Sequence, residues 1–595
     1  MVLALGVFAF ALLLRIIFAV QWQHMPYGID PLLDARAYDD WALSIIDGQA
    51  SNDHAFYQSP VYPYLLAILY SVTGHSIFAA SLLNAVLDSA TASLLALIGF
   101  TLFGRLAGVI TGLLAAAYAP MIFYTAPLMK ESLTLFLLTL FLALALRILQ
   151  QNRLRDYGVC GLVLGLAVLA RGNALFLMPV VPLLAWLRYR RAALRGAGLF
   201  VLACLVAVLP ATWHNYVVAH DFVPITYADG FNLYVGHSPY ANGVNAYPPG
   251  ISTDPEHERA ETSWIAEHET GRQLKPSEIS SFWRMKAIDF ARANPQREAE
   301  LLGLKFLAFW NDAERADNYD AGFIKQNFSS LLNMPLTSFG LIAALAVFAA
   351  FGTRGFVRRE DKQLYALLPA CVFLYMASVL IFYVTDRYRL PAVVFLMPLA
   401  GAAVPCAMQL WEQRRKRQLL VAACAGFFFL ALALYPMGGA ADLSAQNWGT
   451  LTAMYADAGQ PEPALDAFQK GLAISPQGIG AQAYIRAAEM HEKSGNPDEA
   501  AKLVQRAAEL YPTDGVTLYN LGRLQAMQGH LDTALATLHR AIELAPTYGL
   551  SYYALAMIYE KQGDTARAHE ALQQGLAANP GDPQFKALME KGRLR

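Results

Sequence analysis

The sequence predicts an all-α protein in two parts, a polytopic membrane part with about 11 spans followed by a soluble α-solenoid. Apolar runs near the length of a membrane span recur through residues 1–437, and the composition after residue 440 is rich in Ala, Gln, Glu, Asp and Lys. The chain is 56% hydrophobic and 15% charged, whereas a soluble protein is roughly half apolar and a quarter charged. Small residues recur at a fixed spacing in the tail, which indicates a repeat.

The predicted spans begin at residue 2 and end at residue 437. They cover residues 2–20, 77–103, 106–124, 133–149, 158–170, 174–187, 197–213, 335–352, 363–384, 391–410 and 418–437. The first segment lacks a basic n-region and a cleavage site, so we interpret it as a retained anchor.

Lys and Arg residues fall in alternate loops between these spans, for example residues 188–195 and 414–417. The positive-inside rule makes those loops cytoplasmic. Residues 21–76, 125–132, 214–334 and 385–390, together with the tail, then lie outside. The sequence therefore predicts a multi-pass protein of the inner (plasma) membrane, with an extracytoplasmic active site and repeat domain.

The first outer loop carries a carboxylate in aromatic company. In "PLLDARAYDDWALSI", Asp34, Tyr38 and Trp41 fall at helical spacing and share one face. A carboxylate at the membrane rim is energetically unfavourable and is usually retained for a function, which favours a functional role for Asp34. Asp39 and Asp40 point to other faces and are expected to face solvent.

Charged residues also follow other spans on the same predicted side. Lys130 and Glu131 occur in "YTAPLMKESL", where the alternative is a solvated ion pair at the rim, and Arg171 occurs in "LARGN". The last outer turn, "VTDRYRLPAV", contains Arg387, Tyr388 and Arg389. A general base and a cationic phosphate clamp are sufficient to transfer a group from a lipid phosphate. Arg15 lies inside the first span, and we expect it to snorkel outward or to pair with an acid or a lipid phosphate.

Five blocks together resemble the dolichyl-phosphate-mannose protein mannosyltransferase-like family of C-type glycosyltransferases, over roughly residues 1–410. They read "LLDARAYDDWA", "FYQSPVYPYLLAILY", "APLMKESL", "LARGNALFLMP" and "DRYRLPAVVFLMPLAG". The resemblance implies a polyprenyl-phosphate sugar donor, an extracytoplasmic site and inversion at the anomeric carbon. It implies that Asp34 is the base, that Glu131 helps place donor or acceptor, and that Arg387 and Arg389 lie near the lipid phosphate.

One feature of the sequence departs from the pattern of that family, and another leaves the metal dependence open. The usual pair of adjacent acids in the first loop is here Asp34 followed by Ala35. The sequence contains no clear metal-ligand cluster, and since metal dependence varies in the superfamily, a divalent metal stays possible. The remaining predicted substrate contacts are Tyr38, Lys130, Arg171, Tyr388 and His237. His237 lies in the outer-loop stretch "NLYVGHSPYANG", which could equally be a well-packed loop.

The tail contains repeats at an interval of 34 residues. Gly495, Gly529 and Gly563 show this spacing, as do Ala500, Ala534 and Ala568, and Pro512, Pro546 and Pro580; an earlier copy has Gly459, Ala464 and Pro476. The pattern resembles tetratricopeptide repeats in about four copies. Such arrays present a groove for a peptide or partner protein, and the alternative is a structural cap.

These observations predict a glycosyltransferase domain over residues 1–437, with outer loops 21–76 and 214–334, and a repeat domain over residues 440–595. The enzyme would move a hexose or pentose from a polyprenyl-phosphate donor to a protein, lipid or glycan acceptor of the cell envelope. One alternative is an O-antigen-ligase- or polymerase-like glycan transferase, which would use outer-loop Arg and His without the acid. The other is a noncatalytic membrane-anchored scaffold. A net charge of −1 argues against a nucleic-acid partner.

Overall fold

The protein is helical throughout the part of the chain that the structure describes. This computed structural model describes residues 2–48, 54–244, 246–333, 338–356, 359–437, 440–578 and 585. Within those ranges the regular structure consists of α-helices and short 3-10 helices, and no strand forms. The predicted all-α class is confirmed.

The chain divides into two compact units. The first comprises Met1–Tyr247 and Gln273–Met437, and the second comprises Pro248–Arg272 and Gly438–Arg595. Part of the predicted large outer loop is thus assigned to the unit that contains the repeats. The boundaries of the predicted functional domains stay a prediction.

The first unit contains the apolar helices. Among the residues that the structure describes, seven segments are long and apolar enough to cross a membrane by length and composition, namely Val2–Trp22, Ile77–Phe103, Glu131–Gln151, Gly172–Ala219, Lys362–Leu380, Asp386–Glu412 and Lys416–Ala433. Shorter apolar helices are Val61–Thr73, Arg105–Ala117 and Phe339–Gly352, and Leu154–Ala170 is a further helix of 17 residues. The remaining α-helices of this unit are Pro26–Ile29, Leu33–Ile46, Ala119–Phe123, Asp229–Gly236, Pro276–Ala293, Pro295–Trp310 and Ala321–Asn327.

Two predicted spans are not continuous helices. The span 106–124 is wrong as a single helix, because Arg105–Ala117 ends at an extended Tyr118 and a short helix, Ala119–Phe123, follows with a proline near its start. In a continuous helix Pro120 would have no amide N–H to donate to the carbonyl oxygen of Ala116, and its ring would clash with that carbonyl, which explains the break. Similarly, 174–187 divides into a 3-10 helix, Gly172–Leu177, and Val180–Tyr189, within a longer apolar segment. The number of membrane crossings therefore stays a prediction.

Two helices of the first unit approach closely through glycines. A Cβ on Gly161 of Leu154–Ala170 would lie 2.2 Å from the carbonyl oxygen of Phe200 on Leu194–Ala219. A Cβ on Gly165 would lie 2.6 Å from the carbonyl oxygen of Cys204. Because the two glycines are four residues apart on one face, they form the small-residue contact that lets membrane helices pack backbone to backbone.

An ion pair is buried among the first apolar helices. Arg15 and Asp88 are both 0% exposed, and Arg15 Nε donates to Asp88 Oδ2 at 2.5 Å. The guanidinium also donates to the carbonyl oxygens of Ala11, Ala115 and Ala116 at 2.8–3.2 Å. Of the alternatives that the sequence left open, pairing with an acid is the one that the structure shows. The contacts join three helices, because the partners lie on Val2–Trp22, Ile77–Phe103 and Arg105–Ala117.

Replacing Asp88 with leucine is expected to destabilise the protein by about 3–5 kcal/mol, because Arg15 would remain buried without a counter-charge. The double variant Arg15→Met/Asp88→Leu should recover most of that loss. Thermal unfolding of the detergent-solubilised full chain measures both effects. The exposed pair Arg36–Asp30, at 2.6 Å, is the control, since Asp30→Leu should cost only about 0–1 kcal/mol. Equal unfolding of the Asp88→Leu variant and the unmodified protein would contradict the buried pairing.

Within the described residues, the second unit contains four helix pairs and one further long helix. The pairs are Ala440–Asp457 with Pro461–Ile474, Ala481–Lys493 with Pro497–Leu510, Gly515–Met527 with Leu531–Leu544, and Gly549–Lys561 with Thr565–Ala578; the further helix is Pro255–Thr270. Each pair turns through a glycine with φ between 68° and 86°, namely Gly459, Gly495, Gly529 and Gly563. The alanines five residues later are buried between helices. The repeated glycines and alanines are therefore the turns and close contacts of a solenoid.

Candidate active site

Asp34 lies in the first turn of the Leu33–Ile46 helix and is 8% exposed. Its Oδ2 accepts a hydrogen bond from Arg387 Nη1 at 2.5 Å, and its Oδ1 accepts one from Gln58 Nε2 at 2.7 Å. Arg387 is in the first turn of the Asp386–Glu412 helix, 353 residues away in sequence. Folding thus brings the first-loop acid and a late guanidinium into direct contact.

Arg387 lies among three carboxylates. Besides Asp34, its Nε is 3.1 Å from Asp317 Oδ2 and 3.4 Å from Glu131 Oε1. All four side chains are at most 11% exposed. A guanidinium with several carboxylates around it is held in position by charge as well as by hydrogen bonds. We refer to Asp34, Lys130, Glu131, Arg171, Asp317 and Arg387 as the charged cluster.

Glu131 begins the Glu131–Gln151 helix and is 1% exposed. Its Oε1 accepts a hydrogen bond from Arg171 Nη2. The Tyr388 ring covers Arg171, with 4.8 Å between the guanidinium carbon and the ring centroid. Arg171 is thereby fixed between a carboxylate and an aromatic face, an arrangement suited to a desolvated guanidinium.

Lys130 immediately precedes this helix, and its Nζ lies 5.7 Å from the centroid of the Tyr38 ring. Desolvation on burial and the charges of Arg171 and Arg387 lower the pKa of Lys130 to about 7, although Asp34 and Glu131 oppose the shift. With this pKa, the charge of Lys130 is sensitive to pH in the neutral range. An arriving anion would favour the protonated form.

Asp34 and Asp317 have pKa values shifted in opposite directions. Burial disfavours the charged form of Asp34, but the charges of Arg387 and Lys130 and the hydrogen bonds from Arg387 and Gln58 together hold its pKa below the usual value. Burial raises the pKa of Asp317, against the attraction of Arg387 and with repulsion from Asp34 and Glu131. The lowered pKa of Asp34 favours its ionised form, so the two carboxylates of this site lie in different electrostatic surroundings.

Several buried polar atoms of this region have no hydrogen-bond partner within the described part of the chain. They include Tyr38 Oη, Glu131 Oε2, and Nε and Nη1 of Arg171. Buried polar atoms are usually paired, and unpaired ones at a charged cluster are candidate ligand contacts. These atoms offer two guanidinium donors, one phenol and one carboxylate oxygen to a substrate.

Arg389 has different partners from Arg387. It donates to the carbonyl oxygen of Asn311 and, at 2.8 Å, to Glu314 Oε2, and its guanidinium lies 4.0 Å from the Phe339 ring centroid. No contact among the described residues joins Arg389 to Asp34. Its predicted role near the lipid phosphate stays a prediction, while its contacts hold the loop that follows the Pro295–Trp310 helix.

His237 also lies among partners outside the charged cluster. Its Nδ1 is 2.7 Å from Glu298 Oε1, and its Nε2 is 2.9 Å from Lys305 Nζ and 2.7 Å from the carbonyl oxygen of Ile381. Ile381 shortly precedes Arg387 in the chain. In the described structure His237 therefore holds the entry to the Asp386–Glu412 helix, and its contact with sugar stays a prediction.

Sequence reasoning missed two members of the site and misplaced one neighbour. Gln58 and Asp317 were not singled out, although Gln58 stands in the quoted block "FYQSPVYP" and Asp317 in the acidic stretch "NDAERADNYD". Asp39 was expected to face solvent, which is wrong. It is 7% exposed, accepts a hydrogen bond from Tyr70 at 2.7 Å, and lies 2.9 Å from His75 Nε2.

The described residues contain no group of three or more His, Cys, Asp and Glu side chains arranged to hold a metal ion. The carboxylates of the charged cluster surround a guanidinium instead. The arrangement supplies an ionised carboxylate beside several cations, which can accept a proton while a neighbouring anion is stabilised.

Comparison with known families identifies both parts of the chain. Residues 53–214 match the family model described as dolichyl-phosphate-mannose-protein mannosyltransferase. The chain carries a domain of this mannosyltransferase family. Tetratricopeptide-repeat models match residues 481–547 and 525–592, so the predicted repeats are confirmed. The mannosyltransferase match includes Lys130, Glu131 and Arg171, whereas Asp34 and Arg387 lie outside the matched residues.

Solved structures show weaker likenesses. The chain is 13% identical to the oligosaccharyltransferase of Archaeoglobus fulgidus, with a TM-score of 0.37, and the comparison covers 78% of this chain and 57% of that one. MamA is 19% identical at a TM-score of 0.21, over 30% of this chain and 95% of MamA. A tetratricopeptide-repeat protein of Thermus thermophilus is 20% identical at a TM-score of 0.23, over 32% of this chain and 98% of that protein. No curated protein matches this chain.

The family match and the apolar helices support a coarse assignment. The protein is a multi-pass membrane glycosyltransferase with a carboxyl-terminal tetratricopeptide-repeat region.

Proposed function

We propose that this glycosyltransferase moves a sugar from a polyprenyl-phosphate donor to an acceptor on the extracytoplasmic side of the inner membrane, with inversion. The observation that carries the proposal is the charged cluster, in which Asp34 lies 2.5 Å from Arg387. The orientation follows from the basic loops on the opposite side of the predicted spans. The acceptor is a protein, a lipid or a glycan.

In this reaction Asp34 takes a proton from the acceptor as the acceptor bonds to the anomeric carbon. The bond from that carbon to the phosphate oxygen breaks on the opposite face, and the phosphate keeps the electron pair. A phosphate is stable as an anion, so its departure needs charge neutralisation more than a proton. Lys130, Arg171 and Arg387 supply that charge, and Glu131 positions Arg171 through their hydrogen bond.

Arg387 has a second role in this scheme. In the described structure it occupies Asp34 Oδ2, and that oxygen must be accessible to the acceptor. A donor phosphate competes with the carboxylates for the guanidinium, and Asp317 and Glu131 keep Arg387 close when its contact with Asp34 loosens. Donor binding therefore frees Asp34 Oδ2 to accept the proton of the acceptor.

The affinity for the donor is expected to fall as pH rises above about 7, because the phosphate favours protonated Lys130, whose pKa lies near that value. If binding takes up one proton, the donor KM rises by at most about tenfold for each pH unit above the pKa. The Lys130→Arg variant keeps its charge across this range, so its donor KM should be independent of pH. Steady-state transfer assays between pH 6 and 9 measure this, and an equally steep profile in Lys130→Arg would exclude Lys130 as the titrating group.

Cells that lack the protein are expected to accumulate a polyprenyl-phosphate sugar, which mass spectrometry of extracted lipids would identify. The unmodified gene should remove the accumulation and Asp34→Asn should not. Asp39→Asn is the matched control, since Asp39 is a second buried carboxylate of the same helix with its own partners. Restoration by a chain whose cluster is inactivated would favour the scaffold alternative.

The repeat region is proposed to bind a protein partner. Paired helices stack into a solenoid, and such arrays expose a continuous concave surface. The proposed partner is the acceptor itself or a protein of the envelope assembly that delivers it.

A further inference from the structure

We infer that a basic cavity at the carboxyl end of the Asp386–Glu412 helix binds the headgroup of an anionic phospholipid. The cavity has a volume of about 680 Å³, and its cationic lining residues are Arg354, Arg414, Arg415, Lys416 and Arg417. None of the lining side chains is acidic. Among the described residues, Arg354, Arg414, Lys416 and Arg417 form no ion pair. A group of four such cations attracts an anion.

The cavity lies far from the charged cluster. Arg387 is at the start of the Asp386–Glu412 helix, whereas the cavity begins two residues after its end. A helix of 27 residues is about 40 Å long at 1.5 Å per residue. That length is close to the thickness of a bilayer with its headgroup regions, about 40–45 Å. The cavity is therefore at the headgroup level of the opposite leaflet.

The turn that carries the cations is ordered by its own contacts. The amide of Arg414 donates to Trp411 O at 3.0 Å, and the amide of Arg415 donates to Leu410 O at 2.9 Å. Gln418 Nε2 donates to Gly352 O at 2.8 Å and joins this turn to the Phe339–Gly352 helix. The cations are presented on a fixed backbone and need little ordering when an anion binds.

The apolar part of the lining favours a lipid over a soluble anion. Phe351 and Val421 are the apolar lining residues, and Gln418 completes the cavity. Val421 belongs to a helix face that also exposes Leu420, Phe427 and Phe428, at 50–70% exposure. Such a face is expected to lie against acyl chains. A molecule with a phosphate on apolar chains fits both parts of the lining, whereas a free phosphate fits only the cations.

Native mass spectrometry of the full-length protein in detergent tests this inference with phosphatidylglycerol, phosphatidylcholine and glycerol phosphate. Phosphatidylglycerol should bind more tightly than zwitterionic phosphatidylcholine, and glycerol phosphate at equal concentration should not displace it. Arg414→Gln/Arg417→Gln should weaken binding of phosphatidylglycerol by roughly tenfold or more. The charge-preserving variant Arg414→Lys/Arg417→Lys should retain binding, which shows that the turn still folds.

Arg191→Gln/Arg195→Gln is the matched control, because both arginines are exposed, lie on the same predicted side and are outside the cavity. It should leave phosphatidylglycerol binding unchanged. Equal weakening in the two glutamine variants would show a general effect of charge and would overturn the inference. Displacement by glycerol phosphate would identify a site for soluble anions, and undiminished binding in Arg414→Gln/Arg417→Gln would place the lipid elsewhere. Either result also overturns it.

Discussion

Replacing Asp34 with asparagine is expected to reduce sugar transfer by roughly 10²- to 10⁴-fold, the range typical of a lost general base. Asparagine has nearly the same shape, and its carbonyl can still accept a hydrogen bond from Gln58 or Arg387, but it cannot take the proton of the acceptor. Arg387 would keep Asp317 and Glu131 as counter-charges. The fold should therefore survive while the rate falls.

The measurement is transfer from the polyprenyl-phosphate sugar that accumulates in the deletion strain, with detergent-solubilised full-length protein. The fall should appear in kcat more than in the donor KM, because the base acts on the acceptor. Asp39→Asn, five residues along the same helix, should keep most of the activity, since its partners Tyr70 and His75 are outside the cluster. A fully active Asp34→Asn variant would remove Asp34 from the mechanism.

The sequence could predict that these charges meet at one site, because the number of membrane crossings between two loops determines whether the loops lie on the same side of the membrane. Asp34, Lys130, Arg171 and Arg387 each stand beside an apolar run, and alternate loops of a polytopic chain share one face. Few positions satisfy this condition, so charged residues there are predicted to be neighbours. In the structure, ion pairs link Asp34 and Arg171 through Arg387 and Glu131, and Lys130 Nζ lies 5.7 Å from the centroid of the Tyr38 ring.

Which charges meet directly could not be predicted from sequence. Arg387 and Arg389 were grouped as phosphate ligands, but residues two apart on a helix point about 200° apart. Arg387 consequently faces Asp34, and Arg389 faces Glu314. Asp317 lies in a long polar loop, where neither periodicity nor an adjacent span indicates burial, so only tertiary packing reveals it.

Replacing Arg387 with methionine is expected to cause the other large loss, because three carboxylates share this guanidinium. Without it, Asp34, Glu131 and Asp317 would repel one another in a buried setting, and removing one partner of a buried pair costs about 3–5 kcal/mol. Transfer should fall by at least about 10²- to 10³-fold, as when one preorganised donor to a developing anion is lost. Thermal unfolding and transfer assays separate the two effects.

The Arg387→Lys variant distinguishes the effect of the positive charge from the effect of the guanidinium geometry. Arg387→Lys keeps a cation, so it should recover most of the stability, but an ammonium cannot contact Asp34 and Asp317 through separate nitrogens of one planar fork. Its donor KM should rise because the phosphate loses an oriented ligand. Arg389→Lys, two residues along, should disturb the contacts with Asn311 and Glu314 and lower stability with a smaller change in donor KM. If Arg389→Lys instead raised the donor KM as much as Arg387→Lys, both arginines would bind the phosphate, and donor binding would have to rearrange the helix end that now separates them.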